Sequence, residues 1–228
     1  MSRRYNYEAT LNVPEYKRIV HGNEKNLVFY NKVKRLIDIT GSLLGLIFFT
    51  PLFVTLAILI KLESPKAPVF FYQTRIGKDG KPFRMYKFRS MVPDAEEKLK
   101  ELLDKNEIQG AMFKMKEDPR ITRVGKFIRK TSIDELPQLI NVLKGEMSLV
   151  GPRPPLPREV AEYSEYDKLR LTVTQGCTGL WQVSGRNQLS FEQMVELDLK
   201  YIKERSIAGD LKIILKTFKL LLGAKDAF

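Results

Sequence analysis

Residues 39–60 read ITGSLLGLIFFTPLFVTLAILI, a run of 22 positions from Ile39 to Ile60 without a charged side chain. As a helix it would extend roughly 33 Å at about 1.5 Å per residue, enough to cross the hydrocarbon of a bilayer. The run is too long and starts too late for a secretory leader, and no small-residue cleavage site follows it. Pro51 stands near its centre, after Thr50. Proline removes one ladder hydrogen bond and crowds the preceding turn, so a kink or break is expected there. Basic residues flank both ends: Lys32, Lys34 and Arg35 before, Lys61 and Lys66 after. A single span prefers its basic flank on one side only. Up to Arg35 the chain carries eight Lys/Arg and three Glu, which opposes export of that segment. A helix that enters, bends at Pro51 and returns keeps both flanks cytoplasmic; a kinked single-pass anchor is the alternative, and both remain open on these grounds. A buried helix of a soluble core fits less well, because little polar face is left to cover it. The boundaries that follow are a polar arm over 1–31, a membrane-anchoring helix over 32–66 and a soluble part over 67–228.

The rest of the chain does not read as membrane. Of 228 residues, 43% are apolar and 29% charged, which excludes a disordered tail or a polytopic protein. One cysteine rules out an internal disulfide, and one histidine, His21, argues against His-rich metal sites and a Ser-His-Asp triad. The net charge of +12 calls for an anionic partner: nucleic acid, a lipid surface or a phosphorylated ligand.

After Pro68 the pattern turns mixed. Val69–Gln73 has strand character, 75–82 (RIGKDGKP) is a turn and Phe83–Phe88 alternates like a return strand. Pro93–Lys105 reads as a charged helix, 120–129 as a short basic segment, and Ile133–Leu143 as a helix ending at Gly145. Met147–Val150 is a short apolar strand followed by a stiff GPRPPLP loop over 151–157. Phe191–Arg205 and Leu211–Leu222 are amphipathic helices.

The chemistry concentrates in 129–138, RKTSIDELPQ. Asp134 and Glu135 are adjacent acids where a helix begins. Ser132 and Glu135 match an S-x-x-E capping box, and Asp134 is the alternative cap because it would place Pro137 in the tolerant first turn. Capping is the bland reading. The cations around the pair shift the balance: Lys87 and Arg89 share a strand face, Arg129 precedes the pair, Arg153 is locked between Pro152 and Pro154, and Arg186 sits in a Gly-Arg-Asn turn. Arginine forks match phosphate oxygens, so acids among arginines point to a phosphate ester with a divalent ion bridging carboxylate and phosphate. Asp198 reads as a solvated helix face, Asp210 as a cap, and Cys177 as a packed or surface thiol with no histidine near it.

These motifs resemble the bacterial sugar transferases, the monotopic polyprenyl-phosphate phosphoglycosyl transferases. The matching text is KRLIDITGSLLGL, FFYQTRIGKDGKPFRMYKFRSM, DPRITRVGKFIRKTSIDELPQLINVLKGEMSLVGPRPPLP, TGLWQVSGRN and LDLKYI, in family order from about Lys34 to Phe228. The resemblance implies a mostly helical α+β catalytic domain, membrane-associated through an N-terminal re-entrant helix broken at Thr50-Pro51, with a small β-hairpin. It implies transfer of a sugar 1-phosphate, glucose or galactose favoured, from a UDP-sugar to undecaprenyl phosphate with release of UMP. This is the first membrane step of exopolysaccharide, capsule or O-antigen assembly, carried out at the inner membrane with the domain facing the cytoplasm. By the same resemblance Asp134 is the nucleophile that carries the phosphosugar, Mg²⁺ is held at Asp134 and Glu135, and Lys87, Arg89, Arg129, Pro152, Arg153, Pro154 and Arg186 bind substrate, with Asp198 or Asp210 as a further acidic position. Inner-membrane lipids are partners, a homodimer is compatible with it and nucleic acid is not expected.

One departure is local. Relatives carry Pro-Gly where this chain has Gln175-Gly176, and Cys177 replaces a more usual aliphatic residue. The lost proline should loosen that loop. Two rival functions stand beside the transferase: a non-catalytic membrane adaptor using the same basic face, and a nucleic-acid-binding protein that would have to ignore the apolar run.

Overall fold

The computed structural model describes residues 24–102, 115 and 118–223. Its first element, α1 (Glu24–Glu63), is a 40-residue helix containing the whole apolar run. It starts eight residues before the boundary expected at 32, so residues 24–31 belong to the helix; residues 1–23 of the expected arm lie outside the described residues. The early start has a tertiary cause: Tyr30 and Lys34 both bond Asp210 of the C-terminal helix, at 2.9 and 2.7 Å.

Of the kink or break expected at Pro51, the break is not found: the helix runs uninterrupted through it. A proline removes one N–H from the ladder but leaves neighbouring turns intact. Here threonine hydroxyls hold the adjacent carbonyls, Thr50 Oγ1 donating to Leu46 at 2.8 Å and Thr55 Oγ1 to Pro51 at 2.9 Å. The mean hydropathy of its most apolar stretch suits a bilayer, and only 11% of that stretch is buried. Leu43, Leu44, Ile47, Phe48, Val54 and Ile58 stand exposed.

The hairpin follows as β1 (Phe70–Ile76) and β2 (Pro82–Phe88), antiparallel with Phe71 opposite Lys87. The turn closes with Asp79 and Gly80 at positive φ. A charged helix α2 (Ala95–Leu102) is next; the remainder of the segment expected to 105 lies outside the described residues. Then come α3 (Arg123–Lys130), capped by Thr122, a 3₁₀ turn over Ile133–Glu135, and α4 (Gln138–Lys144), ended by Gly145 in the left-handed region. The helix expected over 133–143 is thus split at Pro137.

A second, parallel pair joins β3 (Ser148–Val150) to β4 (Gly176–Thr178). A Cβ on Gly176 would lie 2.1 Å from the Gly151 nitrogen, so the two chains cross here only because both positions are glycine. The loop before β4 is not loose: Gln175 is fully buried, and its amide donates to the carbonyls of Arg170 and Val173 at 3.0 and 2.9 Å, substituting for proline's rigidity. Short helices α5 (Pro157–Ala161) and α6 (Glu165–Lys168) lead to α7 (Phe191–Glu204) and α8 (Ile207–Gly223).

The core forms around these joints. Leu56 and Ile60 of α1 pack with Phe88 of β2 and Ile128 of α3, while Met85, Val142 and Met147 fill the space between the hairpin and α4. A third cluster, including Val150, Leu169, Leu199 and Ile213, joins β3 to α7 and α8. Each such side chain contributes about 1.5–3 kcal/mol by leaving water. The first of these clusters also takes in Ile133, so α1, β2 and α3 meet beside the turn carrying Asp134 and Glu135.

Candidate active site

The acid pair does not cap a helix. Ser132, the expected cap, sits at φ 55° in the left-handed region and makes no side-chain cap bond; α4 begins instead behind Pro137, also without one. With φ positive, Ser132 turns away from the N–H groups it would need. Both capping readings are therefore corrected, and the two carboxylates are left for other work.

Asp134 is buried and Glu135 about one-third exposed. Lys87 Nζ lies 2.7 Å from Glu135 Oε1. Burial pushes the Asp134 carboxyl up to about 6; Lys87 and Arg129 oppose the rise and Glu135 adds to it. For Glu135, burial also acts upward but is outweighed by Lys87, Arg153 and Arg75, which hold it at about 2. The adjacent carboxyls are thus pushed in opposite directions. One is a firm anion, and the other is a more basic carboxylate that is still mostly ionised at neutral pH.

Of the residues expected at the site, Lys87, Arg129 and Arg153 act on the pair. Pro152 and Pro154 are buried and form the spine of the Arg153 loop: Pro152 O accepts from Gly176 N at 2.8 Å and Pro154 O from Arg75 at 3.0 Å. Arg153 itself is exposed. Arg89 is turned elsewhere, its Nε donating to Pro68 O at 2.8 Å, because β2 ends at Phe88 and the strand alternation stops with it. Arg186 donates to Gln182 O at 3.2 Å, and nothing among the described residues links it to the dyad.

Asp198 and Asp210, expected as a further acidic position, are held by buried partners. Asp198 has no exposed surface and is paired with the buried Arg170. Asp210 takes Lys34, Tyr30 and Tyr201, tying α8 to α1. Neither carboxylate shows an open face to a solvent-borne ligand, Asp198 because it is wholly buried, although its Oδ1 has no hydrogen-bond partner, and Asp210 because both its oxygens are taken. Trp181 is buried.

Arg75 joins the site without a local signal in the sequence. It is 6% exposed, lies at the end of β1 and donates to Pro154 O and to Gln73 Oε1, the latter at 2.8 Å. Burial, then Arg153, brings its guanidinium down to about 10. It faces Glu135 only because the hairpin and the proline loop meet, a non-local event marked in the sequence by nothing more than the Arg-Ile-Gly before the turn.

Comparison with known proteins places the chain. The family model for bacterial sugar transferases matches residues 29–224. The galactosyl transferase CpsE of Streptococcus agalactiae is 52% identical over 84% of this chain and 43% of its own length. The undecaprenyl-phosphate galactose phosphotransferase of Salmonella typhimurium is 46% identical over 86% of this chain and 42% of its own. The exopolysaccharide production protein ExoY of Rhizobium meliloti is 41% identical over 86% of this chain and 88% of its own length. The chain belongs to the bacterial sugar transferase family. It spans less than half the length of the first two of these relatives.

Proposed function

We propose that this protein transfers a sugar 1-phosphate, galactose 1-phosphate first among candidates, from a UDP-sugar to undecaprenyl phosphate at the membrane surface. The observation that carries the reading is the uncapped Asp134–Glu135 turn, with a basic buried carboxylate beside a firm anion and under Lys87, Arg129, Arg153 and Arg75. Two relatives named for galactose transfer support the choice of sugar.

In this mechanism an Asp134 oxygen attacks the phosphorus bearing the sugar. The bond from that phosphorus to the bridging oxygen breaks, and UMP leaves with the electron pair. The phosphosugar is then esterified to Asp134. An oxygen of undecaprenyl phosphate attacks the same phosphorus, the aspartyl oxygen departs, and the lipid diphosphate-sugar is formed with the carboxylate restored. Splitting the transfer lets a water-soluble donor and a lipid acceptor use one site in turn. The cations offset repulsion between the anionic attacker and the diphosphate. Among the described residues no group of three or more acidic, His or Cys side chains gathers. Two adjacent carboxylates suit Mg²⁺, which takes one or two protein carboxylates and completes its shell with water and substrate phosphate. Asp134 and Glu135 would hold it, and bound there it would neutralise diphosphate charge.

The anchor fits this chemistry. On one side of Pro51, Gly45 packs on Leu139 of α4; on the other, Leu52 and Phe53 pack beside Phe88 and Ile128. Gly45 and Leu52 are separated by only about 10 Å of helix axis. A bilayer core of about 30 Å does not fit between two contacts to the same soluble body. The packing supports a helix that dips into one leaflet and keeps both flanks cytoplasmic, with the dyad at headgroup depth.

The test is UMP release by the full chain in nanodiscs with undecaprenyl phosphate, Mg²⁺ and a panel of UDP-sugars. With donor alone, mass spectrometry should find one phosphohexose on Asp134. Normal turnover by Asp134→Asn would overturn the reading and favour a non-catalytic adaptor.

A further inference from the structure

The same face of α1 grips both halves of the site. Arg35 donates to the carbonyls of Val142 and Leu143, at 2.6 and 2.7 Å, at the end of the helix whose start follows the dyad. One turn on, Asp38 accepts from Ser148 Oγ at 3.0 Å and from Leu149 N at 2.9 Å. Ser148 Oγ in turn receives Val150 N at 3.4 Å, and the next three residues are Gly151, Pro152 and Arg153. The approach is close by design of the sequence: a Cβ on Gly41 would lie 2.9 Å from Leu149 Cδ1, and one on Gly45 3.0 Å from Leu139 Cδ1. Arg35, Asp38 and Ser42 fall at i, i+3 and i+7, one stripe of the helix. Asp38 is 5% exposed, and Lys34, one turn earlier on its helix, is bonded to Asp210, as Arg35 is to the α4 carbonyls. A buried carboxylate is costly, but it accepts one bond from a hydroxyl and one from a backbone amide, which fix it in direction. Shape alone would have been served by an apolar residue.

We infer that the anchor helix is a spacing gauge for the site, in which Asp38 is the positioning residue that fixes β3, and through it the loop presenting Arg153, against the dyad held by Arg35. The inference rests on the functional reading above. It gives the membrane helix a role in transition-state geometry besides attachment. Misplacing a charged group by about 1 Å costs about 100-fold in rate, so a gauge of this kind acts on turnover without touching substrate.

The test is a double-mutant cycle on the full chain in nanodiscs. Asp38→Ala should lower kcat/KM for the donor about 10–100-fold, and Asp38→Ala/Arg153→Ala should be no slower than Arg153→Ala, because both remove the same contact. Ser148→Ala, a milder change that keeps the strand, should give a smaller effect with the same non-additivity. Asp210→Asn, which loosens α1 from α8 instead, should be additive with Arg153→Ala. Independently of catalysis, amide exchange at Leu149 and Gly151 should quicken in Asp38→Ala while exchange in α7 does not. Additive kinetics together with unchanged exchange at Gly151 would overturn the inference. If Arg153→Ala is itself as fast as the native chain, the functional reading of Arg153 fails, and exchange at Gly151 alone decides whether Asp38 holds the loop.

Discussion

Lys87 Nζ and Glu135 Oε1, 2.7 Å apart, fasten the second strand of the hairpin to the turn that carries the acid pair. The bond is charge-assisted and partly shielded, Lys87 being 18% exposed at its side chain. It also acts on both acids: burial raises each, and the same ammonium opposes that rise, outweighed at Asp134 and prevailing with Arg153 and Arg75 at Glu135.

The rate should therefore follow the ionisation of Asp134. With its carboxyl at about 6, kcat/KM for the donor should fall below an acid limb near pH 6, because only the anion attacks. Lys87→Met removes the cation that most opposes the rise of Asp134, so the limb should move to higher pH as well as the plateau falling. UMP release measured from pH 5 to pH 8.5 checks both; an unmoved limb would show that Lys87 does not act on Asp134.

Stability should respond to the two acids with opposite signs. Asp134 holds its proton more tightly folded than unfolded, so stability is lost as pH rises from about 4 through 6. Asp134→Asn, free of that cost, should raise stability at pH 8 in metal-free buffer by about 2–3 kcal/mol and change little near pH 4. Glu135 is depressed, so its contribution is present above the unfolded value and lost as pH falls through about 2. Glu135→Gln should lower stability at pH 8 by about 1 kcal/mol, a figure reduced for its partial exposure to solvent. Denaturant titration at both pH values distinguishes the signs.

Much of this was legible locally. The apolar run, the hairpin around 75–82 and the basic segment before the dyad follow from patterns within a few residues, and each formed near its expected place. What failed depended on distant partners. Ser132 matches a capping box in sequence, yet its backbone turns left-handed because α3 must end and the chain reverse toward Pro137. Asp198 has the look of a solvated helix face until Arg170, 28 positions earlier, meets it inside the core. Arg75 joins the site only when β1 meets the proline loop, and the parallel pairing of β3 with β4 joins segments 28 residues apart that no period could announce.

Asp198 gives a sharp contrast between packing and chemistry. Removing Arg170 would leave a buried carboxylate uncompensated, so Arg170→Ala should destabilise by about 3–5 kcal/mol. Asp198→Asn should lower the melting temperature while leaving the donor KM of the folded fraction unchanged. A raised KM with an unchanged melting temperature would restore Asp198 to the substrate site.

The anchor is tested by the sidedness of its two ends. Lys32 and Lys66 are exposed and lie on either side of the apolar run. In a Cys177→Ser background, cysteine introduced at either position by Lys32→Cys or Lys66→Cys should resist a membrane-impermeant maleimide in intact cells. Both should react in inverted vesicles. A single-pass helix would instead expose one of the two from outside. That outcome would require either the contacts of Gly45 with Leu139 or those of Leu52 with the Phe88 cluster to open, since one soluble body cannot hold both across a full bilayer. Labelling at both sites, compared between cells and inverted vesicles, therefore tests the topology and the packing in the same measurement.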